Sequence, residues 1–254
     1  MRLLFTKKDF NYSNFVVEFL AELIEDYKNR RLSNTVLIRQ ILFTGYEALW
    51  LISLSAVSIS GLLILQGNAV FSGFTQSDVF FTIFVNAVIR ELSCLITALI
   101  VLARSGTAIA TELGNMQINN ETESLISMGI SPVSYLVIPR VIGVIAAIVT
   151  LTVYFNIAAL AGGWFITLFF APYDISEFIM DLFSVLSAPD ILMSLLKSFM
   201  FGFAIASVSS YQGFKVTYAS TEVPQRTIKA VVYSIGSIIV IDIILSLLYY
   251  LILT

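Results

Sequence analysis

The chain has 254 residues, of which 58% are hydrophobic and 12% charged, with a mean hydropathy of +0.91. A soluble domain carries about 25% charged residues, so the polar groups here are too few to cover a globular surface and lipid is the expected solvent. A net charge of −3, a single cysteine and no histidine argue against nucleic-acid binding, a disulfide framework, imidazole-based metal sites and Ser-His catalysis.

The N-terminus, "MRLLFTKKDFNYSNF", has no continuous apolar run followed by small residues, so it does not read as a signal peptide. It is also not an Arg- and Ser-rich, acid-poor transit leader, which favours a bacterial membrane over a plastid envelope. Next, in "YSNFVVEFLAELIEDYKNRR", Phe15, Phe19, Leu23 and Tyr27 recur every four residues, with Val16 and Leu20 alongside and Glu18, Glu22, Glu25 and Asp26 opposite. That pattern predicts an amphipathic helix within a cytoplasmic or interfacial region 1–40. It would lie flat at the membrane interface or pack on a partner protein.

Five spans are expected within 41–254. The first, 45–67, precedes "LQGN" as its exit. The second, 79–104, is interrupted only by Arg90 and Glu91. The third, 140–170, carries no charge beyond Arg140 and exceeds the length a span needs. An acidic loop with Asp174, Glu177, Asp181 and Asp190 follows, with a short amphipathic helix. The fourth span, 191–212, contains Lys197, and the fifth, 229–252, contains Asp242. Between the second and third lies a polar stretch, 105–135, too polar to span. Arg2, Lys7, Lys8, Lys28, Arg30, Arg31 and Arg39 precede the first span. Arg104 and Arg140 flank the polar stretch, and Lys215, Arg226 and Lys229 precede the last span. With five spans, all of these fall on one side, which predicts a cytoplasmic N-terminus and a periplasmic C-terminus.

Arg90, Glu91, Lys197 and Asp242 fall at similar depth, Arg90 about 17 Å from the outer end at ~1.5 Å per residue. An unpaired charge there costs at least about 2.5–3.5 kcal/mol, so the four are expected to neutralise one another inside the bundle. Adjacent helical residues point about 100° apart. Arg90 and Glu91 are therefore expected to face different partners, Glu91 meeting Lys197 and Arg90 meeting Asp242. Such a layer either lines a transport path or fixes helix packing.

Residues 90–140, "RELSCLITALIVLARSGTAIATELGNMQINNETESLISMGISPVSYLVIPR", closely resemble the MlaE (YrbE) family of ABC transporter permeases. "LQG" upstream, and "LLKS" and "AVVYSI" with Asp242 downstream, extend the likeness. The resemblance implies an all-α fold: an interfacial helix, five transmembrane helices and a cytoplasmic coupling helix within about 112–132. It implies that "NNETESLISMG" is that helix, with Glu112, Asn119, Asn120, Glu121, Glu123, Leu125 and Met128 serving the ATPase contact. Residue by residue, Asn119 or Asn120 would be its N-cap, and Gly129 then Pro132 its stop. The small residues of "ARSGTAIATELG" suit close helix packing. The sequence departs from the family at Asn119, Asn120 and Glu121, at Ile126, and at "YASTEVPQRT".

The resemblance further implies a lipid pocket at a dimer axis, matched here by Leu63, Val70, Phe71 and Phe74. It implies partners: a separate ABC ATPase that carries the ATP, an MCE-domain (MlaD-like) protein, a small STAS-type accessory protein, a second copy of the chain, and phospholipid. No cofactor, metal or catalytic residue is expected on the chain itself, and no GxxxxGK[ST] occurs in it. The expected function is the permease subunit of a phospholipid transporter working between inner and outer membranes. The competing readings are an ion- or proton-coupled carrier using Glu91, Lys197 and Asp242, and an intramembrane lipid enzyme.

Overall fold

The computed structural model describes residues 11–29, 34–70, 77–170, 174–217 and 219–253. Within them the structure is helical: α1 (Tyr12–Asn29), α2 (Asn34–Tyr46), α3 (Leu49–Val70), α4 (Ser77–Phe84), α5 (Ser93–Val101), α6 (Thr107–Ile118), α7 (Glu121–Ser127), α8 (Ile138–Phe170), α9 (Ile175–Val185), α10 (Ala188–Phe214) and α11 (Glu222–Leu253). Wider π-helical turns at Val85–Leu92, Leu102–Gly106 and Val133–Val137 join several of these end to end. Five continuous helical runs are long and apolar enough to cross a membrane: Leu49–Gly67, Val79–Ile118, Val133–Phe169, Ala188–Phe214 and Glu222–Leu251.

The second run corrects its expected end. It does not stop near residue 104 but continues as helix to Ile118. The polar look of 105–118 comes from Glu112 and Asn115, which face outward, while Ile109, Ala110, Leu113 and Gly114 are buried at helical spacing. With 40 residues at about 1.5 Å each, the run is about twice the ~30 Å hydrocarbon thickness. The run is therefore longer than a single crossing needs. The third run begins with the π turn Val133–Val137, for which Pro139 supplies a cause. Proline has no N–H to give the carbonyl four residues back, and a wider turn accommodates that loss.

The bundle is built around α8 and α10. Over the apolar 18-residue stretch of each of these spans 61% of residues are buried, against 28% in the first span and 11% in the last. Close approach depends on small residues. A side chain at Gly202 of α10 would place its Cβ 2.9 Å from the Ile145 backbone of α8, and one at Gly213 would sit 3.0 Å from the Ala110 carbonyl of α6. α3 and α11 flank this centre and leave broad apolar faces outward, such as Leu54 and Leu62 on α3 and Val240, Ile244 and Leu247 on α11.

The N-terminal helix packs on its own chain. Phe15 and Phe19 are buried. The Phe15 ring lies 5.8 Å from that of Tyr211, and Phe19 lies 6.0 Å from Phe203. Tyr12 Oη and Ser207 Oγ share a 2.9 Å hydrogen bond, and Ser131 Oγ donates to the Glu22 carboxylate at 2.6 Å. Leu20 was expected beside Phe15 and Phe19 but is exposed, with Val17 and Ile24. α1 thus has two apolar faces, one on the bundle and one outward. The Tyr27 side chain lies outside the described residues. Burial, then the neighbouring Glu22, pushes the Glu18 carboxyl above its ordinary value. Burial likewise raises Tyr12, partly offset by its bond to Ser207.

α9 follows the third span. Its Phe178 packs edge-on against Phe81, ring centroids 5.3 Å apart, which ties this acidic segment to the start of the second run.

Candidate functional site

The intramembrane charges come together in one cluster. Lys197, on α10, is completely buried. Its ammonium donates to Glu91 Oε2 and, at 2.8 Å, to Ser246 Oγ. Asp242 Oδ1 lies 2.8 Å away as an ion pair, though its alignment is not that of a hydrogen bond. Ser246 Oγ reaches Glu91 Oε1 at 3.4 Å. One cation therefore sits between two carboxylates, which come from the second and last spans, and binds both to the fourth.

Arg90 lies on the side of the cluster nearer the start of α10. Its Nε is 3.5 Å from Glu91 Oε1, and its Nη1 is 3.9 Å from Asp190 Oδ1. The guanidinium lies 4.7 Å over the Tyr249 ring and 5.7 Å from that of Tyr250, a cation–π arrangement. Tyr249 Oη donates to Asp190 Oδ1 at 2.6 Å. Asp190 is itself fixed by the start of α10: the Ser187 N–H and Oγ both donate to Oδ2, at 3.1 and 2.5 Å, in a capping box.

Two sequence-based expectations are corrected here, and one pairing is met. Glu91 does meet Lys197. Arg90 does not meet Asp242; Lys197 takes Asp242, and Arg90 pairs with Asp190 instead. Arg90 and Glu91 also touch each other, against the expectation that neighbours on a helix must diverge. Both lie in the π turn Val85–Leu92, where more residues per turn bring successive side chains closer in angle than in an α-helix.

Asp190 and Tyr249 were missed. "SAPD", Ser187 to Asp190, is a legible capping signal that puts the acid in the first turn of a helix. Nothing in the spacing indicates that this turn faces Arg90, 100 residues earlier in the chain. Arg90, Glu91, Met193, Lys197, Ser246, Tyr249 and Tyr250 close around a crevice with no room for a water molecule.

Between the second and third runs, α7 forms a short foot. Asn120 is its N-cap residue, in the left-handed region with φ 56°. It caps through the backbone: its carbonyl accepts from Ser124 N–H at 3.1 Å, and its side chain makes no cap bond. Asn119 Nδ2 donates to Glu121 Oε1 at 3.3 Å. Glu121 and Glu123 occupy the first turn, where the helix dipole favours acids. Gly129, at φ 77°, ends the helix in a Schellman motif. Ile130 N–H reaches Leu125 O and Gly129 N–H reaches Ile126 O, each at 2.9 Å. Met128 at the tip is 66% exposed, and Leu125 is half-buried.

Glu112 lies two turns before the foot and is engaged by Arg140 Nη2 at 2.9 Å. Arg140 also donates to Leu136 O at 3.1 Å. This ion pair joins α6 to the start of α8.

Of the residues matched to a lipid pocket, Leu63 is half-buried against the core. The Val70 side chain, Phe71 and Phe74 lie outside the described residues. Among the described residues, no group of three or more His, Cys, Asp or Glu is placed to hold a metal ion.

Residues 37–248 match the family described as Permease MlaE. A probable ABC transporter permease protein of Rickettsia prowazekii is 28% identical over 216 residues, 85% of this chain and 83% of the relative. The intermembrane phospholipid transport system permease protein MlaE of Haemophilus influenzae is 25% identical over 216 residues, with the same two shares. The chloroplastic protein TRIGALACTOSYLDIACYLGLYCEROL 1 of Arabidopsis thaliana is 36% identical over 163 residues, 63% of this chain and 46% of that protein.

Proposed function

The chain belongs to the MlaE permease family, and from that membership we propose that it is the membrane subunit of an ABC-type phospholipid transporter. In this reading a separate ATPase binds ATP and grips α7, and two copies of the chain form the membrane unit. An MCE-domain protein receives or delivers lipid on the outer side, and lipid passes between inner and outer membranes. A STAS-type accessory protein would join the ATPase on the cytoplasmic side.

The observation that carries the reading is the geometry of the foot. A seven-residue helix, α7, hangs between two runs that each extend well past a bilayer's thickness. It presents Glu121, Glu123 and Met128 outward, and the Glu112–Arg140 pair joins the two runs that flank it. Force applied to such a foot moves the second and third spans together. The second span carries Arg90 and Glu91 into the charged layer, so motion of the foot acts on the closed crevice. An exposed apolar surface on α11 and α3 fits a second copy or an acyl chain. The basic residues on the foot side agree with a cytoplasmic foot and N-terminus in a bacterial inner membrane, with the C-terminus periplasmic.

The test is to purify the chain from its native membrane and measure associated ATP hydrolysis with and without phospholipid. The expected result is a complex of two copies of the chain with an ATPase whose turnover responds to phospholipid. A stable monomer without an ATPase would overturn the reading and favour a coupled carrier.

A further inference from the structure

The helix breaks just before the first span begins. Between α2 and α3 the chain makes a tight turn at Glu47 and Ala48, with Ala48 N–H bonded to Gly45 O at 3.1 Å. Arg104, from the π turn Leu102–Gly106 of the second run, reaches this joint with both arms of its guanidinium. Nη1 donates to the Glu47 carbonyl at 2.5 Å, and Nη2 pairs with the Glu47 carboxylate. A fork that holds both the backbone and the side chain of one residue fixes direction as well as distance.

Both partners are over 40% exposed, and an ion pair in that setting adds little to stability. What it supplies is geometric. On one side of the joint α2 is seated on α8, with Gln40 filling the space a side chain at Gly143 would need. On the other side Ser60 Oγ of α3 donates to Ala159 O of α8 at 2.5 Å. From Arg104 the helix runs through α6 to Ile118, and α7 begins three residues later. α6 is braced at its middle by Glu112–Arg140 at 2.9 Å and by the Thr111–Thr227 hydroxyl pair at 3.0 Å.

We propose that Arg104 and Glu47 are positioning residues that form the mechanical link between the foot and the first span. A displacement of α7 travels along α6 as a rigid rod, and the guanidinium fork converts it into a tilt of α3 about the Glu47–Ala48 joint. The link works closed: it transmits while intact and needs no opening. This inference rests on the permease reading and adds to it the route by which the lipid-facing first span is driven.

The experiment uses the full complex, with its ATPase, in liposomes. The chain carries Glu47→Cys and Arg104→Cys, and ATP hydrolysis and phospholipid transfer are measured before and after the two thiols are joined by a short bifunctional reagent. Before joining, ATP hydrolysis persists while lipid moved per ATP falls roughly tenfold, within the usual range for coupling between distant sites. After joining, the ratio returns towards that of the unsubstituted chain. A normal ratio before joining overturns the proposal, as does a low ratio that joining leaves unchanged. Where the double variant does not assemble, Arg104→Lys carries the test. It keeps the charge but loses the fork, so the same fall is expected, and an unaltered ratio refutes the link. If the unsubstituted complex moves no lipid, the permease reading fails, independently of Arg104.

Discussion

Replacing Lys197 with methionine removes one charge and keeps most of the side-chain volume. In the native structure that ammonium is fully buried and is the contact that Glu91, Asp242 and Ser246 share. Two unit charges 4 Å apart interact by about 4 kcal/mol at an effective dielectric of 20. Removing one partner of a buried pair typically costs about 3–5 kcal/mol, because the other is left uncompensated. Here two carboxylates lose their shared cation, so the substitution is expected at the upper end of that range. At about 1.4 kcal/mol per tenfold, a loss confined to the transport step would slow it on the order of a thousandfold. The assay is ATP-driven phospholipid transfer from liposomes holding the assembled complex, with thermal unfolding of the same preparation alongside. Lys197→Met is expected to insert, to unfold at lower temperature and to transfer no measurable lipid. Adding Asp242→Asn removes one stranded carboxylate and is expected to recover much of the unfolding temperature but not transfer. Transfer at the unsubstituted rate in Lys197→Met would refute a role for the cluster in transport. Recovery of transfer together with stability in the double variant would reduce the cluster to helix packing.

Other outcomes follow from the same structure. Gly129→Ala places a β-carbon in the left-handed region at the end of α7. It should cost about 1–2 kcal/mol locally and lower the lipid response of the ATPase, with Gly129→Asn intermediate. Gly202→Ala drives a methyl into the Ile145 backbone at 2.9 Å and should destabilise by about 1–3 kcal/mol, read as a lower unfolding temperature. Tyr249→Phe keeps the ring over Arg90 but removes the 2.6 Å bond to Asp190. It should cost roughly 1–3 kcal/mol, visible in thermal unfolding. Glu18 has a carboxyl raised by burial and by Glu22, so the folded state holds its proton more tightly than the unfolded chain does. The stability this contributes is present at low pH and is lost as pH rises through the raised value. Protection of α1 from proteolysis should therefore weaken across the acidic range, and Glu18→Gln should flatten that dependence.

Much of the architecture is legible in the sequence because the bilayer imposes a coarse rule. Five uncharged or nearly uncharged runs could only be spans, and acids followed by Gly129 and Pro132 marked a short helix with a definite end. The similar depth of Arg90, Glu91, Lys197 and Asp242 followed from counting residues. Their pairing did not, because pairing depends on which way each side chain faces. The π turn at Val85–Leu92 changes that direction without leaving a pattern in the residues. Asp190 looked like one more loop acid, although the capping box with Ser187 had fixed it at the head of a helix. The stretch 105–118 looked too polar to belong to a span because outward-facing Glu112 and Asn115 hid the buried stripe behind them. The apolar face of α1 was visible, but its target, Tyr211 and Phe214 about 200 residues later, lies at a range that periodicity does not reach.

The most direct measurement of the central claim is the movement of labelled phospholipid by the complex purified around this chain and placed in liposomes. ATP and a non-hydrolysable analogue are compared in parallel. Net transfer with ATP and none with the analogue is the expected result. Equal transfer with both nucleotides, or transfer that follows an imposed proton gradient without ATP, would contradict an ATPase-driven permease.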